Sequence, residues 1–280
     1  MECPKFGKLE GICLKNRLPT EIAQDKYPSS DVFIREALRY VEEGEKERIT
    51  LRVMGAIAIY LHSKDYEELW KSLGRLSGKI FTDIDFMSDG GIHEILKFFE
   101  KNGYSYNKTY AALYGNKRLI FFGGIIPMID VFFNKLEMCH IIDFRKRLDV
   151  DYPTIPLAEL LLEKLQIVKI NEKDIKDVIV LLRAHDLGED DNDQINIKYI
   201  AKLLSNDWGF YYTVIMNLQK IKNFLPKYDA LNNEDYLDVA SKIDNIITKI
   251  EREPKSVKWK IRASVGAKKK WYRDVEEIER

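Results

Sequence analysis

Residues 82–87 read TDIDFM, and residues 127–133 read PMIDVFF. In the first run apolar residues alternate with Asp83 and Asp85, and this period of two is typical of a β-strand. The two aspartates therefore leave one face of the strand together, where their oxygens can reach a common cation. In the second run Asp130 is the one charged residue in an otherwise apolar strand. Asp83, Asp85 and Asp130 are therefore the main candidates for functional residues.

Carboxylates in such positions call for a counter-charge. A lone carboxylate among apolar residues is costly to bury unless it is paired, hydrogen-bonded or bound to metal. Carboxylates on one sheet face also repel each other, and a divalent ion relieves that repulsion. Mg²⁺ prefers one or two carboxylates together with phosphate oxygens, and Mn²⁺ accepts similar ligands. We therefore expect Asp83, Asp85 and Asp130 to bind Mg²⁺ or Mn²⁺. The alternative is that the D-x-D pair is solvated and that Asp130 caps a loop.

A strand, a glycine turn and a helix precede the D-x-D run. Residues 49–54 (ITLRVM) favour a strand, and residues 56–62 (AIAIYLH) are apolar without alternation, with Gly55 between the two. Such a turn can present backbone N–H groups at a helix start to a phosphate. Gly55 and Ala56 are thus candidate phosphate-binding residues.

The remaining pattern divides the chain in two. Helical periods cover residues 31–47, 65–76 and 91–103, and residues 104–144 favour strands in a meander. Beyond Pro153 the apolar residues recur at helical spacing, up to a last predicted helix that ends at Glu279. We expect an α+β (α/β) fold, in which a mixed sheet with flanking helices (1–152) is followed by an all-helical domain (153–280).

Composition narrows the class of protein. The chain has 280 residues, 45% hydrophobic and 32% charged, which is typical of a globular protein and not of a disordered one. Its 45 Lys and Arg balance 45 Asp and Glu, so the total charge does not attract nucleic acid or anionic lipid. The apolar runs are interrupted before the roughly 20 residues of a membrane span. Charges in the first residues argue against an export signal, so we expect a cytoplasmic protein. The three cysteines form no C-x-x-C pair, which argues against a disulfide framework and a structural zinc site.

Three runs together resemble a known superfamily, the nucleotidyltransferases related to DNA polymerase beta. They are LRVMGAIAIYLHS (51–63), LGRLSGKIFTDIDF (73–86) and IDVFF (129–133). In that family a Gly-Gly or Gly-Ser turn opens a helix, a D-x-D strand follows, and a third Asp lies on a neighbouring strand. The branch of abortive-infection and toxin-antitoxin nucleotidyltransferases is the most similar. Its second motif has a Lys, then Lys-Asp or Arg-Asp, then an Asp three residues later, and this chain offers Lys164, Lys173-Asp174 and Asp177.

The resemblance implies a metal-dependent transfer of a nucleoside monophosphate from a nucleoside triphosphate (NTP) such as ATP to an RNA (tRNA-like) or protein hydroxyl. Asp83 and Asp85 would bind the metal that bridges the triphosphate. Asp130 would complete the site and help to activate the attacking hydroxyl. Gly55 and Ala56 would form the phosphate turn, and Lys164 and Asp177 would contact the nucleotide or position the acceptor. The same branch implies an antitoxin-like protein as a partner.

Two alternatives stay open. The second turn residue is Ala56, which supplies no hydroxyl, so the chain could be a catalytically weak or inactive nucleotide-binding module that acts through a partner protein. In the other, the protein is a helical interaction protein whose acidic residues are structural. Lys164 would then be the solvated end of an amphipathic helix, and Asp174 and Asp177 would belong to a surface ladder of charges.

The carboxy-terminal region combines cations with aromatic residues. Trp259, Trp271 and Tyr272 are interleaved with basic residues, and aromatic rings stack on unpaired bases while cations neutralise phosphates. The alternative is a solvated helix with both tryptophans in the core. We expect an RNA acceptor to contact Lys258, Lys260, Arg262, Lys268, Lys269 and Lys270.

Overall fold

A computed structural model of the chain describes residues 22–23, 26–74 and 81–275. Expectations for the amino-terminal residues, for 75–80 and for 276–280 lie outside the described residues. The strands are β1 (Arg52–Met54), β2 (Ile84–Ser88), β3 (Ser105–Tyr106), β4 (Arg118–Phe122), β5 (Met128–Phe133), β6 (Lys135–Glu137), β7 (Ile141–Asp143), β8 (Leu187–Gly188) and β9 (Ile195–Asn196).

The described residues also form α-helices. They are α1 (Ser30–Lys46), α2 (Gly55–His62), α3 (Glu67–Ser72), α4 (Ile92–Lys101), α5 (Lys108–Tyr114), α6 (Leu157–Leu165), α7 (Glu172–Ala184), α8 (Ile197–Leu204), α9 (Trp208–Phe224), α10 (Asn233–Arg252) and α11 (Val257–Val265). The expected α+β class is confirmed by this mixture.

A mixed sheet positions the acidic residues. Within the described ranges it has five strands in the order β1-β2-β5-β4-β3. β2 and β5 are parallel, and the other neighbouring strands are antiparallel. The chain therefore leaves β2, passes through α4, β3, α5 and β4, and returns beside β2 as β5. This return places two distant segments of sequence side by side at the centre of the sheet.

The hydrophobic core continues from the sheet into the helices that follow it. Every residue of β5 is buried, and so are most residues of α6, including Leu160, Leu161 and Leu162. These side chains belong to one connected cluster of buried apolar residues. The packing of α6 and α7 against α2 holds these helices close to the Gly55 turn between β1 and α2.

The predicted boundary near Pro153 is a hydrogen-bonded segment of chain. The Val53 N–H donates to the Pro153 carbonyl at 3.0 Å, and the Ile155 N–H donates to the Val53 carbonyl at 3.0 Å. Residues 153–155 thus extend the edge of the sheet beside β1. The division into domains at 152 and 153 stays a prediction.

Three predictions differ from the structure. The region beyond Pro153 is not all-helical, because it also contains the short parallel strands β8 and β9, where the Ile195 N–H donates to the Asp186 carbonyl at 2.9 Å. Lys108–Tyr114 form α5 instead of a strand, because the Asn107 side chain accepts a hydrogen bond from the Tyr110 N–H at 3.0 Å and so caps a helix. The last predicted helix is shorter than expected. α11 ends at Val265, since Gly266 has a φ of 60° that stops the helix.

None of the described helices combines the length and the hydrophobicity that crossing a bilayer requires.

Candidate active site

The three predicted aspartates meet in space. β2 and β5 are in register with Asp85 opposite Asp130, and Asp83 directly precedes β2. Each of the three offers a carboxylate oxygen, and these atoms all lie within 4.8 Å of one another. Asp130 is fully buried, whereas Asp83 and Asp85 are half-buried. Hard oxygen ligands at this spacing fit a Mg²⁺ or Mn²⁺ ion. We call these residues the aspartate triad.

The glycine turn lies against the triad. Gly55 begins α2 with a φ of 69°, a backbone conformation that residues other than glycine rarely adopt. A Cβ atom at this position would lie 2.6 Å from the Asp85 Oδ2 atom. The sequence requirement for glycine thus has two causes, the backbone conformation and the close approach of the carboxylate.

Alanine substitutions at two glycines separate these two causes. Gly55→Ala should cost about 1–2 kcal/mol of stability through its positive φ and should also displace the Asp85 carboxylate, which weakens Mn²⁺ binding. Gly103→Ala is the matched control, because Gly103 has a φ of 86° and a Cβ atom added there would meet nothing within 4 Å. Urea unfolding and Mn²⁺ titration measure both effects. Equal Mn²⁺ affinity in the two variants would show that the contact with Asp85 is unimportant.

Arg118 joins the triad from β4. Its Nη2 atom donates to Asp130 Oδ2 at 2.6 Å and its Nε atom to Asp130 Oδ1 at 3.3 Å, a bidentate pair. The guanidinium also lies over the Phe132 ring, 5.1 Å from its centroid. Burial opposes the charge of Arg118, but the attraction of Asp130 and Asp85 outweighs it and raises the pKa of the guanidinium. A permanent positive charge is therefore part of this site.

Glu163 also contacts the glycine turn. Its Oε2 atom accepts a hydrogen bond from the Gly55 N–H at 3.3 Å. Burial raises the pKa of Glu163 to about 7, although Lys164 and the Gly55 N–H act in the opposite direction. The N–H group predicted to face a phosphate thus contacts a carboxyl group in this structure. A ligand phosphate would have to displace Glu163 or use the neighbouring N–H groups of α2.

The pH dependence of stability tests the environment of Glu163. Its pKa is about 7 in the folded protein against an ordinary value of 4.5. Since the folded state holds this proton more tightly, the free energy of unfolding should fall by on the order of 2–3 kcal/mol as the pH rises between these values. Glu163→Gln should lack this component of the slope. Urea unfolding from pH 4.5 to about pH 8 measures it, and identical slopes for both proteins would contradict the prediction.

Lys164 and Asp177 lie in a separate cluster of charges. Lys164 Nζ is 3.1 Å from Asp174 Oδ1, 3.2 Å from Asp177 Oδ2 and 3.9 Å from Glu163 Oε1. Asp177 is fully buried and also accepts a hydrogen bond from Trp70 Nε1 at 3.1 Å. The surface ladder of charges is therefore the wrong interpretation of Asp177. The cluster connects to the triad through Glu163 and Gly55, and a direct role in nucleotide binding stays a prediction.

The carboxy-terminal cations divide into two groups. The Arg262 guanidinium donates to the carbonyls of Gly266 and Lys269 at 2.8 Å each, and Lys270 is paired with Asp274. These two cations thus hold the end of the chain together, and their contact with RNA stays a prediction. The other four are exposed, and no acidic group contacts them within the described ranges; they are Lys258, Lys260, Lys268 and Lys269.

The aromatic residues of this region pack inward. Trp271 Nε1 donates to Thr213 Oγ1 at 3.0 Å, and the Trp259 ring packs edge-on against Tyr211 at 5.0 Å. Both tryptophans are half-buried and lie outside the hydrophobic core, so the alternative that placed them in the core is not confirmed. They are therefore poorly placed to stack on RNA bases.

Sequence reasoning missed Arg118 and Glu163. A signal for Glu163 exists in LAELLLEKL, where Glu159 and Glu163 are four residues apart in a helix that is otherwise strongly apolar, and both are buried. Arg118 carries no such signal, because it opens its strand and its partner depends on the register of β4 with β5.

Comparisons with known proteins add no relative from which roles could be transferred. No family model matches the chain, and no curated protein matches it either. The functional assignment therefore rests on the geometry of the aspartate triad and of the residues that contact it.

Proposed function

We propose that the protein is a metal-dependent nucleotidyltransferase, which moves a nucleoside monophosphate from an NTP to a hydroxyl of an RNA or a protein. The observation that carries this proposal is the convergence of Asp83, Asp85 and Asp130 oxygens within 4.8 Å. The parallel pairing of β2 with β5, the Gly55 turn against Asp85 and the order of these elements also agree with the family that the sequence resembles.

The residues would divide the work as follows. Asp83 and Asp85 would hold a Mg²⁺ ion, which supplies charge neutralisation to the phosphate oxygens. Asp130 would be the third ligand of the metal and would also help to activate the attacking hydroxyl by taking its proton. The hydroxyl oxygen then bonds to the α-phosphorus, the bond between that phosphorus and the bridging oxygen breaks, and pyrophosphate leaves. The protein contributes position and electrostatics, as in other phosphoryl transfers.

Glu163 favours a second candidate, a nucleotide-binding module without turnover. Its contact with the Gly55 N–H occupies a donor of the phosphate turn, and Ala56 supplies no hydroxyl there. Isothermal titration with Mg²⁺ and each NTP, followed by an assay for pyrophosphate, separates the candidates. Binding with release supports the transferase, and binding without release supports the module. If neither Mg²⁺ nor any NTP binds, the result would support a helical interaction protein whose acidic residues are structural.

Labelled NTPs incubated with total RNA and total protein test the transferase. We expect label transfer by the wild type and none by Asp83→Asn. Asp89→Asn is the matched control, since Asp89 is exposed just beyond β2 and should transfer label like the wild type. Equal labelling by wild type and Asp83→Asn would refute the proposal.

An RNA acceptor would contact the four exposed lysines near the carboxy terminus. Replacing Lys258, Lys260, Lys268 and Lys269 by glutamine should weaken RNA binding and flatten its dependence on salt, because each phosphate contact releases counterions. Filter binding between 50 and 200 mM salt measures both, over roughly the range in which such contacts weaken strongly. An RNA affinity that does not change with salt concentration would contradict this contact. The antitoxin-like partner and the cytoplasmic location stay predictions.

A further inference from the structure

α11 presents a row of aliphatic side chains to solvent. Val257, Ile261 and Val265 are 74%, 66% and 42% exposed, and their spacing of four residues places them along one face of the helix. Single apolar residues are common on protein surfaces, whereas a continuous exposed row is typical of a contact surface. Valine and isoleucine are also weaker helix formers than lysine or glutamate, so helix stability does not account for them. We call these three residues the aliphatic row.

The opposite side of α11 is anchored to the rest of the molecule. The Trp259 ring packs edge-on against Tyr211 at 5.0 Å, and the Arg262 guanidinium lies over the Trp208 ring, 4.7 Å from its centroid. The Ser256 side chain caps the helix by accepting a hydrogen bond from the Trp259 N–H at 3.2 Å. The aliphatic row is therefore held in place, and a partner that contacts it does not have to order the helix first.

Lysines border the aliphatic row on both sides. With about 3.6 residues per turn, Lys258 lies on one side of the row and Lys260 on the other, and both are exposed. Lys268 and Lys269 are exposed just beyond the end of the helix. The surface is therefore positively charged as well as apolar.

The charge and the side chains of this surface discriminate among its possible partners. A symmetric contact with a second copy of the chain would bring lysines against lysines. RNA bases stack on aromatic rings, and Trp259 and Trp271 pack inward. Helices that lie in a bilayer surface carry Trp, Phe or Leu on their apolar face, whereas this row has two valines and one isoleucine. A helix with aliphatic and acidic residues fits best, because a row spaced by four residues packs into the groove of another helix while carboxylates pair with the lysines.

We propose that the aliphatic row and its lysines form a docking surface for a partner protein that presents an acidic amphipathic helix. Aliphatic side chains of the partner would bury the row, and its carboxylates would pair with Lys258 and Lys260. The burial supplies affinity, and the charges supply orientation and a faster association. This inference goes beyond the proposed function, because it uses no residue of the aspartate triad.

A synthetic peptide tests the inference on the full chain. The peptide is an amphipathic helix with leucines along one face and glutamates on both sides of them, and a second peptide with lysines in place of the glutamates is the control. Fluorescence anisotropy of the labelled peptides measures binding. We expect the acidic peptide to bind and the basic peptide not to bind. The affinity of the acidic peptide should fall as the salt concentration rises, because salt screens exposed charges.

Variants of the chain locate the contact. Ile261→Ser should weaken binding of the acidic peptide at least about tenfold, because it removes the central side chain of the row. Leu237→Ser is the matched control, since Leu237 is 64% exposed on α10, and this variant should bind like the wild type. Lys258→Gln combined with Lys260→Gln should weaken binding and reduce its dependence on salt. All four positions are exposed, and thermal unfolding checks that the variants are folded.

Several results would overturn the inference. They are no binding of the acidic peptide by the wild type, equal binding of the acidic and basic peptides, and equal binding by the wild type and Ile261→Ser. Binding of phosphatidylserine vesicles without binding of the peptide would assign the surface to a membrane instead. Self-association that Ile261→Ser abolishes would assign it to a second copy, and RNA binding that this variant weakens as strongly as peptide binding would assign it to RNA. Mn²⁺ binding and label transfer do not depend on these results, so the proposed function is tested separately.

Discussion

Asp85→Asn should lower the rate of pyrophosphate release by about 10²–10³-fold or more, while the protein stays folded. An asparagine oxygen is neutral, so the variant loses one of the three anionic ligands that converge within 4.8 Å. The variant should stay folded, because asparagine has nearly the same size and shape as aspartate. Steady-state assays of pyrophosphate release and thermal unfolding measure the two quantities.

Asp89→Asn provides the comparison for this variant. Asp89 follows the same strand, has the same side chain and is exposed to solvent. It should release pyrophosphate at the wild-type rate. Equal rates in Asp85→Asn and Asp89→Asn would mean that any measured turnover does not come from the aspartate triad.

Lys164→Met should destabilise the fold by about 3–5 kcal/mol. The substitution keeps most of the side-chain volume but removes the cation that lies 3.2 Å from the fully buried Asp177 and 3.1 Å from Asp174. Without this cation the buried Asp177 carboxylate loses part of the charge that balances it. An unbalanced buried charge is the main cost of breaking a buried ion pair. Urea unfolding at neutral pH measures the difference.

Lys173→Met serves as the matched control, because Lys173 is exposed on α7 near the same cluster. We expect it to change stability by less than about 0.5 kcal/mol. Adding Asp177→Asn to Lys164→Met should recover part of the loss, since the buried charge is then gone. A loss below about 1 kcal/mol in Lys164→Met would place Lys164 among ordinary surface cations and contradict its structural role.

Much of the site could be predicted from local patterns. The alternation in TDIDFM has the period of a strand and places β2, and the short apolar run around Asp130 is typical of a buried strand and places β5. The positive φ of Gly55 agrees with the turn predicted between β1 and α2. The two strands and the turn depend on residues that are close together in the sequence, so the sequence alone can predict them.

Features that depend on distant pairing were not visible. The contact of Arg118 with Asp130 requires the register of β4 with β5, and the contact of Glu163 with Gly55 joins residues 108 positions apart. Hydrophobic periodicity carries no information about such pairs. The error at α5 has a local cause instead, because the cap at Asn107 outweighed the β propensity of its tyrosines.

The most direct test of the central claim is the position of a bound ion. A crystal structure of the full chain grown with Mn²⁺, recorded at a wavelength where manganese scatters anomalously, should show a peak within bonding distance of oxygens from Asp83, Asp85 and Asp130. A structure in which these three side chains diverge, or in which the manganese peak lies elsewhere, would contradict the account.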